Sequence, residues 1–251
     1  PKIPLPMLKS SLTLLGTQDM SDFLLIHGSC HGARCWDDLI PELEALGHTA
    51  RAIDLPSHGA DKTPVAEVSL DSYARAIINA IDTPVTLIGH SMAGYPITAA
   101  AKLAPEKINK LIYLCAYVPK AGMTLGDRRK SAPTQPLIEA IRICDDRISF
   151  EIDPTMAAEK FYHDVDPARA AWAVGNLGPQ PIAPQETVLE VTQNLPRHYI
   201  RCTDDRTIPP AFQVTMTEDW PAGTVSDLPT SHSPFLSDPK ALALLLSRVA
   251  N

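Results

Sequence analysis

The sequence has few cysteines and none of the spaced cysteine and histidine pairs from which proteins build metal sites. No Cys-x-x-Cys occurs, and the number of cysteines is odd and their spacing irregular. These features argue against a zinc site and against a disulfide framework. We therefore expect reduced thiols, a cytoplasmic location, and neither a metal nor a cofactor. The five cysteines are Cys30, Cys35, Cys115, Cys144 and Cys202.

Long apolar runs and an excess of positive charge are also lacking. No apolar run approaches the roughly 18 residues that a membrane-spanning helix needs. The chain has 22 Lys and Arg residues against 29 Asp and Glu residues, and its one short basic run is Arg128-Arg129-Lys130. Nucleic-acid binders usually present a basic face. We therefore expect neither a nucleic-acid partner nor a membrane partner, and we interpret the basic run as a solvated loop.

The length of 251 residues and the hydrophobic content of 45% suit one domain with a large core. Residues 1–19 resemble a proline-containing leader or extension, which makes Met20 a candidate natural start. Residues 118–185 are rich in Pro, Gly and charge and break the regular pattern of the chain. We predict a core formed by residues 20–117 and 186–251. Residues 118–185, here named the cap segment, form an insertion over one end of it.

Outside the cap segment, short apolar runs alternate with segments of helical character. The run Phe23-Leu24-Leu25-Ile26 is continuous and ends at His27-Gly28, as expected of a buried parallel strand. Strands that alternate with helices predict an α/β fold with a parallel sheet covered on both faces. The predicted strands are 23–26, 49–53, 85–88, 111–115, 198–202 and 224–225, and the predicted helices are 36–46, 69–81, 92–103, 136–143, 210–219 and 239–249.

The hexapeptide Gly89-His90-Ser91-Met92-Ala93-Gly94 lies between a predicted buried strand and a predicted helix. A nucleophilic serine sits at such a point on a sharp, strained turn, where the residues two before and two after it must be small. Gly89 and Ala93 meet this requirement. The motif departs from strict G-x-S-x-G, because alanine stands at the second small position and the glycine follows it. We favour Ser91 as a nucleophile over the alternative, a serine that only caps the helix.

A serine hydroxyl needs a base before it can attack at neutral pH. In a site of this kind the acid and then the histidine follow the serine along the chain. The downstream histidines are His163, His198 and His232. The first lies in the cap segment, and the second opens a predicted buried strand, where a structural role is the simpler interpretation. His232 lies in the loop between the last strand and the last helix, so we predict that it is the base rather than a solvated loop residue.

Two adjacent aspartates follow the predicted strand at 198–202. Asp204 and Asp205 both lie in the loop that should carry the acid, and Asp227 is an outside candidate. Only one of two adjacent side chains can face the histidine. Asp205 stands four residues before Pro209, and we favour it as the residue that holds the imidazole in one tautomer.

An acyl-transfer site also needs donors for the negative charge that develops on the carbonyl oxygen. Backbone N–H groups supply them, one from the residue after the nucleophile and one from the loop after the first strand. We therefore expect the backbone amides of Met92 and Ser29 to form an oxyanion hole.

Segments at both ends of the chain resemble the plant methylesterase and hydroxynitrile lyase family. The segments are residues 23–32 with Trp36, the turn at Ser91, and residues 199–209. The resemblance implies an α/β-hydrolase fold: a mostly parallel sheet, helices on both faces and a cap insertion. The family's nucleophile falls on Ser91, its acid on Asp205, its base on His232 and an oxyanion donor on Ser29.

The resemblance also implies an activity. The family includes salicylate-binding methylesterases and polyneuridine aldehyde esterase, so we expect a serine carboxylesterase that acts on small apolar or aromatic carboxylic esters through an acyl-enzyme. The abundance of proline and the segment at residues 54–59 look bacterial rather than plant.

Two positions separate this sequence from the lyases of that family. Those enzymes carry a threonine where this chain has Gly28, and a lysine where it has Ser233. The lysine supplies positive charge for the cyanide leaving group, so the resemblance favours an esterase over a hydroxynitrile lyase. A ligand-binding receptor and a cofactor-free dioxygenase on the same fold are further alternatives. The dioxygenase would need the histidine–aspartate pair but no nucleophilic serine.

The substrate pocket is expected under the cap segment. The apolar residues scattered there either line the pocket or form the cap's own core. We expect a small-molecule ester as the partner, and analogy with the family suggests a homodimer. The predicted substrate-binding residues are Gly28, Met123, Phe161 and Trp172.

Overall fold

Six parallel strands form a central sheet in the order β2-β1-β3-β4-β8-β9. The structure is a computed structural model that describes residues 20–190 and 194–250, so the predicted leader lies outside the described residues. The predicted α/β fold with a parallel sheet is confirmed. The strands of this sheet are β1 (Asp22–Ile26), β2 (Thr49–Ile53), β3 (Val85–His90), β4 (Ile108–Leu114), β8 (Arg197–Cys202) and β9 (Val225–Leu228), and the cap segment adds β5 (Ile141–Ile143), β6 (Ser149–Ile152) and β7 (Gln180–Pro181).

Helices connect the strands, and several begin at a capping side chain. The Ser69 hydroxyl accepts a hydrogen bond from the Ser72 amide while the Ser72 hydroxyl accepts one from the Ser69 amide, a reciprocal capping box. None of the helices among the described residues has the length and apolar character needed to span a membrane. The helices are α1 (Leu39–Ala45), α2 (Leu70–Asn79), α3 (Gly94–Leu103), α4 (Leu125–Lys130), α5 (Pro154–Phe161), α6 (Pro167–Gly175), α7 (Pro210–Met216), α8 (Pro234–Ser237) and α9 (Pro239–Val249).

The sheet separates two apolar cores. Along β1, Leu24 and Ile26 belong to the core that contains residues of α2, α3 and α7, whereas Phe23 and Leu25 belong to the core that contains residues of α1 and α9. Successive side chains of a strand point to opposite faces, so a strand buried on both faces must be apolar throughout. The continuous apolar run of β1 therefore follows from helices that cover both faces of the sheet.

The cap segment contains a small antiparallel sheet that the sequence analysis did not predict. β6 pairs with β5 on one side and β7 on the other. The predicted helix at 136–143 is wrong, because a short 3-10 turn at Ile138–Ala140 leads directly into β5. Ile141 lies opposite Ile152 and Ile143 opposite Phe150. Such cross-strand pairs of β-branched and aromatic residues stabilise a sheet and outweigh a weak local preference for helix.

The strand order brings the predicted site residues to one edge of the sheet. β1 has β2 on one side and β3 on the other, so the chain changes direction across the sheet between β1 and β3. In open parallel sheets, ligands bind outside the carboxyl ends of the strands at such a point. Ser29 follows β1, Ser91 follows β3, Asp205 follows β8 and His232 follows β9. The carboxyl ends of parallel strands share an edge, which explains how residues more than 200 positions apart in sequence meet.

Besides His232, four buried histidines lie in the loops and strand ends at this edge. Burial is the first cause that lowers the pKa of each, because a protein interior penalises the charged imidazolium. The pKa is about 3 for His27 and for His31 and about 4 for His58, and it lies well below 6.5 for His90. All four side chains are therefore neutral in the folded protein at neutral pH.

Helix α3 approaches the loop after β4 so closely that only glycine fits at the first residue of the helix. A Cβ at Gly94 would lie 2.0 Å from the carbonyl oxygen of Tyr117. Tyr117 is held in place because its amide donates a hydrogen bond to the Ser91 carbonyl at 3.0 Å. The obstacle is backbone, so no side-chain rotation relieves it. This contact accounts for the glycine at position 94 of the hexapeptide.

We predict that acid destabilises the folded protein through the four buried histidines. Each takes up a proton near pH 6.5 when the chain is unfolded but stays neutral to far lower pH when it is folded. Their contribution to the free energy of unfolding is therefore complete above about pH 6.5 and is lost as the pH falls below it. The slope is up to about 1.4 kcal/mol per pH unit for each histidine.

Urea unfolding between about pH 5 and about pH 7 measures this slope in the wild type and in His58→Gln. The free energy of unfolding should fall less steeply with acid in the variant than in the wild type. The two slopes should differ by up to about 1.4 kcal/mol per pH unit, the value for one proton. Equal slopes for the two proteins would contradict the neutral state assigned to His58.

We also predict that Gly94→Ala lowers the free energy of unfolding by about 1–3 kcal/mol, because the added methyl overlaps the Tyr117 carbonyl. Gly175→Ala is the matched control. A Cβ at Gly175, the last residue of α6, meets no heavy atom within 4 Å, so this change should be neutral or slightly stabilising. Urea unfolding of both variants makes the comparison, and equal stabilities would show that α3 can move away from Tyr117 at little cost.

Candidate active site

The residue that links β3 to the following helix is held in an unusual backbone conformation. Ser91 has a φ of 56°, in the left-handed region that residues with a side chain rarely adopt. A Cβ at Gly89 would lie 2.8 Å from the Ala93 carbonyl oxygen, so the turn has no room for a side chain there. This sharp, strained strand–turn–helix geometry is the one in which a serine hydroxyl is presented at the top of a sheet.

Ser91, His232 and Asp205 are joined by hydrogen bonds. His232 Nδ1 lies 2.8 Å from Asp205 Oδ2, and His232 Nε2 lies 3.0 Å from Ser91 Oγ. A carboxylate can only accept, so Nδ1 carries the proton and Nε2 is free to accept the Ser91 hydroxyl hydrogen. All three side chains are buried, with 7% of Ser91, 5% of Asp205 and 1% of His232 exposed. The structure thus brings together the three residues that the sequence analysis selected.

The Asp205 carboxylate accepts hydrogen bonds from four donors. Oδ1 accepts hydrogen bonds from the amides of Thr207 at 2.7 Å and Ile208 at 2.9 Å. Oδ2 accepts one from Gln213 Nε2 at 2.9 Å in addition to the one from His232. A buried carboxylate with four donors is satisfied and cannot turn away from the histidine without losing several of them.

The other two candidate aspartates lie elsewhere. Asp204 is exposed although it is next to Asp205 in the chain. Asp227 is also exposed and pairs with Arg201 at 2.6 Å. Of the three aspartates considered, only Asp205 contacts His232 through its carboxylate. The choice between the adjacent residues follows from the turn in which Asp205 accepts from the amides two and three positions ahead.

The backbone of His232 is fixed by two side chains that the sequence analysis did not select. His90 Nε2 donates to the His232 carbonyl at 2.8 Å, and the Cys115 thiol donates to the same oxygen at 3.3 Å. Burial raises the pKa of this thiol well above its ordinary value, so it keeps its proton. The position of His90 next to the proposed nucleophile is the one signal that could have suggested it.

Nitrogen and sulfur atoms of His90, Cys115 and His232 lie within 4.8 Å of one another, which is close enough to consider a metal. These groups already have hydrogen-bond partners, however. Both ring nitrogens of His232 bond to Ser91 and Asp205, and His90 and Cys115 donate to the His232 carbonyl. The arrangement fits a hydrogen-bond network better than a ligand set.

The remaining downstream histidines bond to groups other than Ser91. His163 Nε2 donates to the Asp204 carbonyl at 2.8 Å, and His198 Nε2 lies 2.9 Å from the Ser226 hydroxyl.

The loop after β1 runs directly beside the serine. A Cβ at Gly28 would lie 2.9 Å from Ser91 Cβ, so the peptide between Gly28 and Ser29 is adjacent to the nucleophile candidate. The loop is held by its neighbours. Gln185 Nε2 donates to the Ser29 hydroxyl at 3.0 Å, and His31 Nδ1 donates to the Ser29 carbonyl at 2.7 Å. The oxyanion-hole role of the Ser29 and Met92 amides stays a prediction.

A narrow cavity of about 20 Å³ lies beside Ser91 and His232. Of the predicted substrate-binding residues, Phe161 lines this cavity, whereas Gly28, Met123 and Trp172 do not. A substrate-binding role for Phe161 stays a prediction. Trp172 instead lines a separate, larger cavity of about 640 Å³, where the Arg169 guanidinium lies 3.6 Å from the centre of its ring. The residues around the narrow cavity are Ser29, His31, Ser91, Tyr117, Leu125, Arg129, Leu137, Phe150, Phe161, Gln185, Thr207 and His232.

A third cavity, of about 390 Å³, borders the narrow one towards the cap segment. Arg129, Phe150 and Gln185 line both, so these three side chains form the boundary between them.

Several known proteins are similar to this chain over nearly its whole length. Methylesterase 18 of Arabidopsis thaliana is 28% identical to it, and the similar region covers 91% of this chain and 97% of that protein. A pyrethroid hydrolase of Sphingobium faniae JZ-2 has a structure that matches with a TM-score of 0.81 at 28% identity, over 92% of this chain and 98% of that one. Polyneuridine aldehyde esterase matches with a TM-score of 0.82, over 93% and 100% of the two chains, and at 24% identity it supports the fold alone.

These similarities bear on both the resemblance and the activity. The resemblance to plant methylesterases, drawn from short motifs, is confirmed. The esterase and hydrolase relatives support an ester-hydrolase function. Residues 23–243 match the sequence model of the Alpha/beta hydrolase family. Because that match covers most of the chain, the protein belongs to the alpha/beta hydrolase family.

Proposed function

We propose that the protein is a serine carboxylesterase that hydrolyses small carboxylic esters through an acyl-enzyme. The observation that carries the proposal is the continuous chain of hydrogen bonds from Ser91 through His232 to Asp205. It supplies a nucleophile, a base with a free nitrogen, and an acid that holds the base in the required tautomer. The similarity to plant methylesterases supports the same class of reaction.

In the first half of the reaction, Ser91 Oγ attacks the ester carbonyl carbon and His232 Nε2 takes the hydroxyl proton. The carbonyl oxygen becomes negatively charged, and the amides of Ser29 and Met92 donate hydrogen bonds to it. The tetrahedral intermediate then expels the alcohol, whose oxygen receives the proton from His232 Nε2. An acyl ester on Ser91 remains.

In the second half, water attacks the acyl carbon and His232 Nε2 accepts a proton from it. Collapse of the second intermediate returns that proton to Ser91 and releases the carboxylic acid. Asp205 accepts from Nδ1 throughout and stabilises the imidazolium that forms in each half.

The walls of the narrow cavity support the proposed substrate class. Tyr117, Leu125, Leu137, Phe150 and Phe161 contribute apolar or aromatic surface around Ser91. Ligand pockets of this kind favour a small apolar or aromatic body oriented by a few polar groups.

The lyase alternative has less support. A threonine at position 28 would begin from a Cβ 2.9 Å from Ser91 Cβ and 2.8 Å from His90 Nδ1, so it would not fit without a shift. The buried residue Ser233 stands where the lyases carry a lysine. The receptor and dioxygenase alternatives do not require Ser91 as a nucleophile, so the two experiments below also test them.

We predict that Ser91→Ala lowers ester hydrolysis by about 10³-fold or more while the protein stays folded, because the nucleophile is lost. A panel of methyl, alkyl and aryl esters measures activity, and circular dichroism measures folding. Ser131→Ala, at an exposed serine of the cap segment, is the matched control. An organophosphonate should add to the wild type with one equivalent, at Ser91. Activity near that of the wild type, or an adduct on a cysteine, would refute the mechanism.

We predict that Asp205→Asn lowers kcat by about 10⁴-fold, because the amide favours the wrong tautomer of His232. Asp204→Asn is the matched control, since Asp204 is the adjacent residue, is exposed, and contributes no carboxylate contact to the histidine. Steady-state kinetics on the best ester of the panel measure both. A larger loss for Asp204→Asn than for Asp205→Asn would reverse the assignment of the acid.

A further inference from the structure

A cation without an anionic partner lines the boundary between the narrow cavity and the neighbouring cavity of about 390 Å³. Arg129 belongs to α4 in the cap segment and borders both spaces. Its Nε is buried and has no hydrogen-bond partner among the described residues. None of the ion pairs in the described part of the chain includes Arg129.

The neighbouring arginine shows what a structural arginine looks like in the same helix. Arg128 Nε donates to the Val118 carbonyl at 3.1 Å, and its guanidinium lies 5.1 Å from the centre of the Phe212 ring. Both its charge and its hydrogen bonds are accommodated by the fold. Arg129 Nε, in contrast, has no hydrogen-bond partner among the described residues, although the two arginines are adjacent in the chain.

The carboxylates of the described residues near the two cavities form no ion pair with Arg129. None of the described residues places a carboxylate on the wall of the narrow cavity, because Asp205 lies behind His232. The outer cavity has Asp127 and Glu186 on its wall, both exposed. The Asp127 carboxylate accepts from the hydroxyl and amide of Thr124 and so caps α4.

Besides His232, one other histidine lies on the wall of the narrow cavity. Burial lowers the pKa of His31, the other basic side chain on that wall besides His232, to about 3, so it is neutral. Among the described residues on that wall, Arg129 is the one lysine or arginine, and it lies at the side that borders the outer cavity.

A partly buried guanidinium with an unsatisfied Nε–H is unfavourable unless an anion joins it. Guanidinium groups bind carboxylates through two parallel hydrogen bonds, which match the planar geometry of both partners. A single cation matches the single charge of a carboxylate. Part of the wall is apolar or aromatic and suits the carbon skeleton that connects such a carboxylate to an ester group. The side chains that form this part are those of Tyr117, Leu125, Leu137, Phe150 and Phe161.

We propose that Arg129 binds a carboxylate of the substrate, and that the protein therefore prefers esters that carry a free carboxylate. The substrate class is the monoesters of dicarboxylic acids, with an aliphatic or aromatic body. This inference rests on the proposed esterase function. In the reaction, water cleaves the acyl C–O bond of the monoester and yields the dicarboxylic acid and the alcohol.

The test compares esters that differ only in the free carboxylate. The probes are the monomethyl and dimethyl esters of succinate, adipate, suberate and isophthalate, so that the spacing between ester and carboxylate varies. The wild type should prefer the best monoester over its diester by about 10- to 100-fold in kcat/KM, the factor expected of charge-assisted hydrogen bonds. The preference should reside mainly in KM.

Arg129→Met should remove that preference, and Arg129→Lys should keep part of it, because a lysine retains the charge but not the bidentate geometry. Lys120→Met is the matched control. It removes one positive charge from an exposed position of the cap segment that borders neither cavity, so the preference should stay at the wild-type value. Thermal melting checks that each variant is folded.

A second measurement uses no variant of Arg129 and needs no turnover. The Ser91→Ala protein should bind monomethyl adipate more tightly than dimethyl adipate in isothermal titration. The dianion of adipate should compete with the monoester for the wild type, whereas neutral adipamide should not.

The outcomes separate the two proposals. Equal kcat/KM for monoesters and diesters, or a preference that survives in Arg129→Met, would overturn the role of Arg129 and leave the esterase intact. Failure of the wild type to hydrolyse any ester would overturn the esterase. In that case binding to Ser91→Ala decides the role of Arg129: tighter binding of the monoester supports it, and equal binding overturns it.

Discussion

The hydrogen bond between His232 and Asp205 is the contact on which the site depends. It joins the loop after β9 to the loop after β8, and both partners are almost fully buried. A buried carboxylate that loses one of its donors keeps its desolvation cost, so each loop requires the other in its present shape. Gln213 extends this dependence to α7, because it binds Asp205 and also accepts from the Cys202 amide at 3.0 Å. The end of the sheet and the acid loop therefore form one unit.

The surrounding histidines matter because they are neutral. If His232 takes a proton from Ser91, it becomes an imidazolium inside a cluster of other imidazoles. The positive charge of His232 is itself among the causes that lower the pKa of His31 and His90. Neutral neighbours do not repel the new charge, and His90 and Cys115 can keep donating to the His232 carbonyl. Burial of these side chains thus costs stability in acid and keeps the histidines around the proposed base uncharged.

The sequence was sufficient to predict the parts of the structure that local patterns determine. The continuous apolar run 23–26 predicted β1, since a strand that is buried on both faces is largely apolar. The order of serine, aspartate and histidine, each in a loop after a strand, predicted which side chains meet. The strand β5 was missed because its pairing with Phe150 and Ile152 lies across a turn, and no property of Ile141–Ile143 alone distinguishes it from a helical turn. Trp172 and Met123 were selected as large apolar residues, a property that does not indicate which cavity a side chain lines.

Arg129 is a further residue whose surroundings the sequence did not indicate. In the sequence it is the middle of a basic run, which the sequence analysis interpreted as a solvated loop. That interpretation is wrong, because the run forms part of α4. In the structure the three members differ: one packs against backbone and an aromatic ring, one borders the cavity, and one is exposed. A six-residue helix turns adjacent side chains through about 100° each, so consecutive residues meet different surroundings. The chemistry proposed for the triad is held on loops at the end of the sheet, whereas the proposed contact with the carboxylate comes from a helix of the cap segment. Substitutions in that helix can therefore change which ester is bound while the hydrogen bonds among Ser91, His232 and Asp205 stay as they are.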